Sequence, residues 1–213
     1  VGVPLTRMGA EKEPMLDYYK CNRKLVFKYE DVTYSINLLS INVYPQGYAG
    51  IVNYINKFSR LAVVIDIGSW TIDIMPIRER KADAGNCKSL SLGTITCMHK
   101  INEHLREQFN GEADEILLKD VMITGSSVDL PPKYLTVIQN DLKTYVEDIM
   151  GQLRALQFNL DTTQLIFIGG GSTIIKNFLD AEKYPKATVI DDVHINAKGY
   201  EDLIRYQIRN GGL

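Results

Sequence analysis

The feature that most constrains the fold is the stretch 61–75, which reads LAVVIDIGSWTIDIM. Its apolar start runs into Asp66, and an alternating segment begins at Trp70. A short apolar run predicts a buried strand, and apolar residues at every second position predict another strand. The sequence therefore predicts a hairpin with its turn at 67–69 and a carboxylate at the mouth of that turn.

This turn is suited to binding a phosphate group. Gly68 has no Cβ and can adopt a positive φ, so backbone N–H groups there can approach a ligand closely. The Asp66 carboxylate can hold Mg²⁺ through water, because Mg²⁺ usually keeps several of its waters. An ordinary hairpin with a polar turn has the same local pattern, and the rest of the chain must decide between these interpretations.

A second glycine-rich segment follows another predicted strand. The apolar run QLIFI, at 164–168, ends in Gly169, Gly170 and Gly171, and a helix is predicted over 173–179. Glycines let the backbone approach a flat ring or a ribose, and a helix N-terminus favours a nearby anion. Flexible loops also contain triple glycines, but the position between a strand and a helix favours a ligand site.

The remaining segments predict an α/β protein with a mixed sheet flanked by helices. Strands are expected from residues rich in Val, Ile, Tyr and Phe, and helices from apolar residues recurring at three and four positions. The further predicted strands are 24–29, 32–37 and 40–44, forming an antiparallel meander, with 88–92 and 187–190; the further predicted helices are 15–19, 47–60, 94–109, 112–120, 133–158 and 196–209. Ligand sites in such folds lie at the carboxyl ends of strands.

Composition argues against several classes of function. The formal net charge is −2, so a basic surface for nucleic acid is not expected. The apolar run of the central strand is far shorter than a membrane span, and no signal-peptide pattern opens the chain. The three cysteines are odd in number and widely spaced, which predicts free thiols in a reducing cytoplasm.

Together these segments resemble the actin-like ATPases, most closely the bacterial ParM/StbA-type plasmid segregation proteins. VVIDIGSWTIDI is similar to the family's second phosphate loop, and FIGGGSTIIKNF is similar to its adenosine loop. Ser91-Leu92-Gly93 is similar to the family's next nucleotide-side turn, and INAKGYEDLI, at 195–204, to the segment that returns to the first domain. The resemblance covers nearly the whole chain from Gly2 onward and implies an actin-like (ribonuclease H-like) nucleotide-binding fold.

The resemblance also implies roles for individual residues. Asp66 would hold Mg²⁺ through water, and Gln46 would orient the attacking water, because phosphoryl transfer requires little beyond positioning and charge stabilisation. From its position alone, Gln46 is an ordinary surface residue at a helix start, and only the resemblance favours the catalytic role. The residues implied to bind ATP or ADP are Gly68, Ser69, Trp70, Thr71, Gly93, Gly169, Gly170, Gly171 and Ser172.

Two departures from the family pattern bear on function. Trp70 stands where the family has a small residue, and the family's first phosphate loop, another D-x-G hairpin, is not found in the sequence. We therefore expect an N-terminally truncated chain. The resemblance assigns 1–60 and 191–213 to domain I, and 61–190 to domain II with a small helical subdomain within about 96–144.

The function implied for the parent protein is that of a cytoplasmic ATPase that binds Mg²⁺-ATP and polymerises into filaments. Its expected role is segregation of plasmid or mobile-element DNA through a DNA-binding adaptor protein, without direct contact with nucleic acid or membrane. Whether this chain hydrolyses ATP stays open. The alternative is a non-hydrolysing actin-like scaffold that binds partners, and Trp70 favours it.

Overall fold

The structure is a computed structural model that describes residues 1–210. Its elements are β1 (Gly2–Val3), α1 (Met8–Cys21), β2 (Lys24–Tyr29), β3 (Val32–Asn37), β4 (Tyr44–Pro45), α2 (Tyr48–Ile51), β5 (Leu61–Ile67), β6 (Ile72–Arg78), β7 (Lys81–Ala82), β8 (Lys88–Leu90), α3 (Thr94–Phe109), α4 (Glu115–Thr124), α5 (Pro132–Ala155), β9 (Gln164–Ile168), α6 (Ser172–Phe178), β10 (Ala187–Val189) and α7 (Ile195–Arg209). Among residues 1–210, no helix is both long and apolar enough to cross a bilayer.

A mixed sheet forms the centre of the fold. Its strand order is β10-β9-β5-β6-β7, and β8 also pairs with β6. β9 is parallel to both β5 and β10, whereas β6 is antiparallel to β5. The register of the β5–β6 hairpin places Asp66 opposite Asp73. Directly opposed residues of an antiparallel pair point to the same face, so both carboxylates lie on one side of the sheet.

The two faces of this sheet are covered by different helices, because alternate residues of each strand point to opposite sides. The face of Ile65 forms the larger hydrophobic core with α3, α4, α5 and α6. The face of Val64 forms a smaller core, to which α2 contributes Ile51 and α7 contributes Ile195. Asp66 has the same alternation as Val64 and therefore faces α2 and α7.

The predicted mixed sheet with flanking helices is confirmed, and some boundaries agree with the prediction at both ends. β9 occupies 164–168, and α3 occupies 94–109 as predicted. α3 ends at Asn110, which adopts the left-handed conformation with φ 54° and donates its N–H to the Arg106 carbonyl at 2.9 Å. The Asn-Gly pair after the apolar stripe therefore correctly predicted where this helix ends.

Two predictions for the first sixty residues are wrong, and a third is too short. β2 and β3 form a two-stranded sheet by themselves, and the expected third strand of a meander is reduced to β4, which pairs in parallel with β1. The helix predicted over 47–60 is reduced to α2, and a 3-10 turn follows at Ile55–Lys57. The helix expected at 15–19 is present, but it belongs to the longer α1, which contains Pro14. Ile51 and Phe58 belong to one core, so their spacing reflects a shared buried face rather than one continuous helix.

The hairpin turn also lies later than predicted. The turn was expected at 67–69, but β5 extends through Ile67 and β6 begins only at Ile72, so the turn lies at 68–71. The predicted division into domains at residues 60 and 190 stays a prediction. α2 and α7, from the two segments assigned to domain I, pack onto the same face of the central sheet.

Candidate functional site

The turn between β5 and β6 is held from one side by α3. The N–H groups of Thr94 and Ile95 donate to the carbonyls of Gly68 and Ser69 at 3.1 and 3.0 Å. Gly93 makes this approach possible, because a Cβ at that position would lie 2.3 Å from the Ser69 carbonyl oxygen. The first turn of α3 therefore fixes the conformation of the predicted phosphate loop.

Only some of the backbone N–H groups of this turn donate hydrogen bonds. The Gly68 N–H donates to the Thr71 carbonyl at 2.9 Å and closes the turn. Within residues 1–210, the N–H groups of Ser69 and Trp70 have no acceptor. Unpaired amides of successive residues in a turn make a concave donor surface of the kind that binds anions.

The three glycines after β9 have different surroundings. Gly169 has φ 85°, and a Cβ there would lie 2.3 Å from Oδ1 of Asp66. Gly171 donates its N–H to the Ile67 carbonyl at 3.0 Å, and a Cβ there would lie 2.3 Å from Cγ2 of Ile67. A Cβ at Gly170 would meet nothing within 4 Å. The outer two glycines let the segment lie against the end of β5, and the middle one faces open space.

A cavity of about 220 Å³ lies between the two glycine segments. Its walls come from the hairpin turn, the glycines, α3, α4 and α6. The lining residues are Ile67, Gly68, Ser69, Thr94, Met98, Lys119, Met122, Ile123, Gly170, Gly171, Thr173 and Ile174. Apolar side chains, one cation and exposed backbone suit a ligand with both a flat ring and an anionic group.

Asp66 faces a second, much smaller void on the other side of the sheet. The void has a volume of about 10 Å³ and is lined in part by Gln46, Gly47 and Asp73. That volume is close to the smallest that holds one water molecule. Gln46 itself is exposed at the rim, so its side chain lies near the carboxylate and remains open to solvent.

The Asp66 carboxylate is partly buried and has an amide partner. Its Oδ2 accepts a hydrogen bond from Nδ2 of Asn196 at 3.1 Å. Burial raises the pKa of Asp66, the Asn196 hydrogen bond lowers it, and the nearby Asp73 carboxylate raises it. Oδ1 of Asp73 is buried and has no hydrogen-bond partner within residues 1–210.

The chemistry of these two carboxylates suits a hydrated Mg²⁺ ion, but the void that they line has room for one water molecule at most, so the ion itself would lie outside it. The part of the chain that the structure describes has no group of three or more His, Cys, Asp or Glu residues able to hold a metal. One or two carboxylates are the usual protein contribution to Mg²⁺ sites, where water and phosphate oxygens complete the shell. The unpaired oxygen of Asp73 is a polar group that one water molecule of such an ion would satisfy.

The structure places the predicted site residues in three groups. Gly68, Ser69, Gly170 and Gly171 surround the larger cavity, and Gln46 and Asp66 surround the small void. Gly93 and Gly169 instead permit close packing beneath the two loops. The remaining three predicted residues line neither space: Trp70 is 68% exposed, Ser172 is buried, and Thr71 accepts the Gly68 hydrogen bond through its carbonyl.

Several residues of the site were not identified from the sequence. Asp73 had a usable signal, because the alternation of β6 places it on the same face as Asp66. Asn196 lies 130 positions from Asp66, and no local pattern indicates that their side chains meet. Lys119 and Ile123 line the cavity only because α4 packs beside α6, which is a property of the tertiary structure.

A family model described as archaeal actin homologue MreB-like, C-terminal, matches residues 64–181. No curated protein sequence matches the chain.

Several solved structures have a similar fold. Ta0583, an archaeal actin homologue, has a TM-score of 0.76 and 21% identity, covering 96% of this chain and 69% of that one. The pCBH ParM non-polymerisable quadruple mutant has a TM-score of 0.75 and 19% identity, covering 96% and 67%. The Alp12 filament structure has a TM-score of 0.66 and 21% identity, covering 96% and 67%. At these identities the likeness concerns the fold alone.

Proposed function

Because the chain belongs to the family of archaeal MreB-like actin homologues and has the actin-like fold, we propose that it binds ATP or ADP together with Mg²⁺. The observation that supports the proposal most directly is the cavity between the two glycine segments. It combines Ser69, whose N–H has no acceptor within residues 1–210, the open backbone at Gly170 and the cation of Lys119, and the unpaired N–H of Trp70 follows next to Ser69 in the same turn.

The nucleotide is proposed to lie across this cavity. The amides of Ser69 and Trp70 would donate to the β- and γ-phosphates, as the N–H groups of phosphate-binding turns do. Gly170 would border the adenine and the α-phosphate, with Met122 and Ile123 contacting the ring. Adenine nucleotides are supported by relatives: Ta0583 was solved in complex with ADP, and MreB 5 of Spiroplasma citri was solved bound to AMPPNP.

Hydrolysis to ADP and phosphate is proposed to depend on Asp66, at the end of β5 beside the turn that would hold the phosphates, and on Gln46, which lines the same small void as Asp66. Mg²⁺, when bound, neutralises charge on the phosphates. Asp66 would hold the hydrated ion from the end of β5, and Asp73 would accept from one of its waters. Gln46, at the rim, would orient the attacking water through its amide, which carries no charge at any physiological pH.

We extend the proposal to self-association into filaments. Alp12 forms filaments according to its structure, which supports assembly for a chain of the same fold. A cytoplasmic role in segregating plasmid or mobile-element DNA through a DNA-binding adaptor rests on the sequence resemblance to ParM/StbA-type proteins. The net charge of −2 is the reason that direct contact with nucleic acid is not proposed.

A non-hydrolysing scaffold is the second candidate, and Trp70 favours it. This side chain is 68% exposed on the turn that is proposed to bind phosphate. An indole there contributes apolar surface in place of a small residue, and exposed tryptophan is typical of protein interfaces. On this alternative, nucleotide binds without turnover and the exposed indole contacts a partner protein.

Titration calorimetry of the chain with ATP in the presence and absence of Mg²⁺ tests the proposal. We expect saturable binding that depends on Mg²⁺ and that Asp66→Ala weakens about 10- to 100-fold, the usual effect of losing an outer-shell metal partner. Asp129→Ala, which changes an exposed carboxylate elsewhere, is the matched control and should bind as wild type does.

The outcomes separate the two candidates. Phosphate release by the wild-type chain that Asp66→Ala abolishes supports the ATPase, whereas tight binding without release supports the scaffold. Absence of any heat of binding by the wild-type chain, at nucleotide concentrations up to the millimolar range, would contradict nucleotide binding by this chain.

A further inference from the structure

Asn196, in the first turn of α7, connects two parts of the site that are distant in sequence. Its Nδ2 donates to Oδ2 of Asp66 at 3.1 Å, and its Oδ1 accepts from the N–H of Gly47 at 2.9 Å. The reverse orientation of the amide would place oxygen against oxygen and N–H against N–H. Because an amide has distinct donor and acceptor ends, this side chain has one favourable orientation between its two partners.

The bond to Gly47 fixes the backbone that presents Gln46. The Gly47 N–H belongs to the peptide plane that joins these two residues, and Gly47 has φ 72°, in the left-handed region that favours glycine. The backbone of Gln46 is also anchored on both sides: its N–H donates to the Val3 carbonyl and its carbonyl accepts from Tyr48, each at 2.8 Å. Asn196 therefore completes the support of this turn.

Close packing of α2 against α7 holds Asn196 in position. A Cβ at Gly199 would lie 1.9 Å from the Ala49 carbonyl oxygen, and a Cβ at Gly50 would lie 3.1 Å from Oδ1 of Asn196. Ile195, the preceding residue, is 3% exposed and belongs to the smaller core. The amide is thus attached to a rigid helix pair, and its hydrogen bonds cost little additional ordering.

We propose that Asn196 is a positioning residue that couples the Asp66 carboxylate to the Gln46–Gly47 turn. The inference rests on the proposed function, in which Asp66 holds hydrated Mg²⁺ and Gln46 orients water. A fixed separation between these groups matters because misplacement of reacting groups by about 1 Å can lower a rate about 100-fold. Displacement of Asp66 by a bound nucleotide would reach the Gln46 backbone through this one amide.

Hydrogen exchange at the Gly47 amide tests the coupling without nucleotide. Asn196→Ala removes the acceptor, so exchange at Gly47 should accelerate at least about tenfold. Asp66→Ala leaves the Asn196 Oδ1 acceptor in place but removes the hydrogen-bond partner of Asn196 Nδ2. Exchange at Gly47 should therefore accelerate by a smaller factor. In the double variant Asp66→Ala should add nothing, because the path between the two residues is already broken.

Asn53→Ala is the matched control. The Asn53 side chain donates to Oδ2 of Asp202 in α7, so it also links the α2 region to α7 but lies away from the site. Its removal should leave Gly47 exchange unchanged. The proposal would be overturned if Gly47 exchange were unchanged in Asn196→Ala. It would also be overturned if Asp66→Ala accelerated Gly47 exchange equally in the wild-type chain and in the Asn196→Ala variant. The single Asp66→Ala variant leaves α7 intact, so unchanged Gly47 exchange in that variant would overturn the coupling even where Asn196→Ala does not fold.

Steady-state kinetics provide the second measurement. Asn196→Ala should lower kcat for ATP about 10- to 100-fold and change KM less than about threefold, because binding contacts in the larger cavity are untouched. A wild-type chain that does not turn over ATP would contradict the proposed hydrolysis and leave the exchange result standing. Normal turnover with the predicted exchange pattern absent would contradict the coupling alone.

Discussion

At the scale of single residues, we expect substitution of Gly171 to affect mainly stability and substitution of Gly170 to affect mainly ligand binding. We predict that Gly171→Ala lowers the free energy of unfolding by about 1–3 kcal/mol, the usual cost of overpacking. The added Cβ would lie 2.3 Å from Cγ2 of Ile67 and 2.8 Å from Cγ2 of Thr94. Urea denaturation followed by circular dichroism measures the change.

Gly170→Ala is the companion to that substitution. Its Cβ would meet nothing within 4 Å, so the free energy of unfolding should stay within about 0.5 kcal/mol of wild type. Because Gly170 lines the larger cavity, the same methyl group should weaken nucleotide binding several-fold in calorimetry. Equal losses of stability in the two variants would show that the surroundings of these glycines do not differ as described.

Individual candidate site residues could be proposed from the sequence where the chemistry is local, and their roles stay predictions. Asp66, Gly68 and the triple glycine were proposed because a carboxylate and small residues directly follow apolar strands. The sequence could not distinguish the packing role of Gly169 from the open position of Gly170, because this depends on the distance to β5. Asn196 was hidden for the same reason, since its two partners come from other parts of the chain.

At the scale of elements, α4 lines the larger cavity, and the stability of this helix can be tested through its N-cap residue. Oδ1 of Asp114 accepts from the Ile116 N–H at 2.8 Å. Asp114→Ala should lower the free energy of unfolding by about 1 kcal/mol, the typical value for an N-cap. Asp129→Ala, at an exposed loop carboxylate, should change it by less than about 0.5 kcal/mol. An unchanged urea midpoint in Asp114→Ala would mean that this cap contributes nothing.

Helices with a sustained apolar stripe and clear ends were predictable from the sequence, and shorter segments were not. α3 and α5 are long enough that the spacing of buried residues identifies the backbone conformation. The segment 47–60 has similar spacing, but Gly47 and Gly50 lie at its start, and the chain leaves the helix after Ile51. Two short turns facing one core imitate a helix in the sequence pattern.

At the scale of the whole molecule, Gly199 determines how closely α2 and α7 approach each other. A Cβ there would lie 1.9 Å from the Ala49 carbonyl oxygen and 2.9 Å from the Gly50 nitrogen. These are backbone atoms of a packed helix and cannot rotate away. Gly199→Ala should therefore separate the helices and lower the free energy of unfolding by at least about 2 kcal/mol.

Gly151→Ala is a matched glycine substitution within another helix. Gly151 lies in α5, and a Cβ there would meet nothing within 4 Å. The change should raise the free energy of unfolding by about 0.5–1 kcal/mol, because alanine favours the helix more than glycine does. Urea denaturation of both variants measures the contrast, and a shift of the same sign in both would contradict this account of the α2–α7 contact.

The overall architecture was predictable because the two glycine segments occur in a fixed order between strands and helices. The pairing of β1 with β4 was not, since each strand has only two residues and the pairing depends on neighbours in space. Local patterns thus identified the central sheet, whereas the arrangement of the first sixty residues depended on long-range contacts.

The position of β9 beside β5 determines when a nascent chain can acquire its cavity. Paired residues such as Ala62 and Gln164 are separated by about a hundred positions, which a ribosome adds at about 5–20 residues per second. The β5–β6 hairpin therefore waits roughly 5 to 20 seconds for its parallel neighbour. During that interval α3 and α5 can form from local contacts, while one edge of β5 remains unpaired and open to other strands. The glycines after β9 emerge later still, so ligand binding becomes possible only after they have been synthesised.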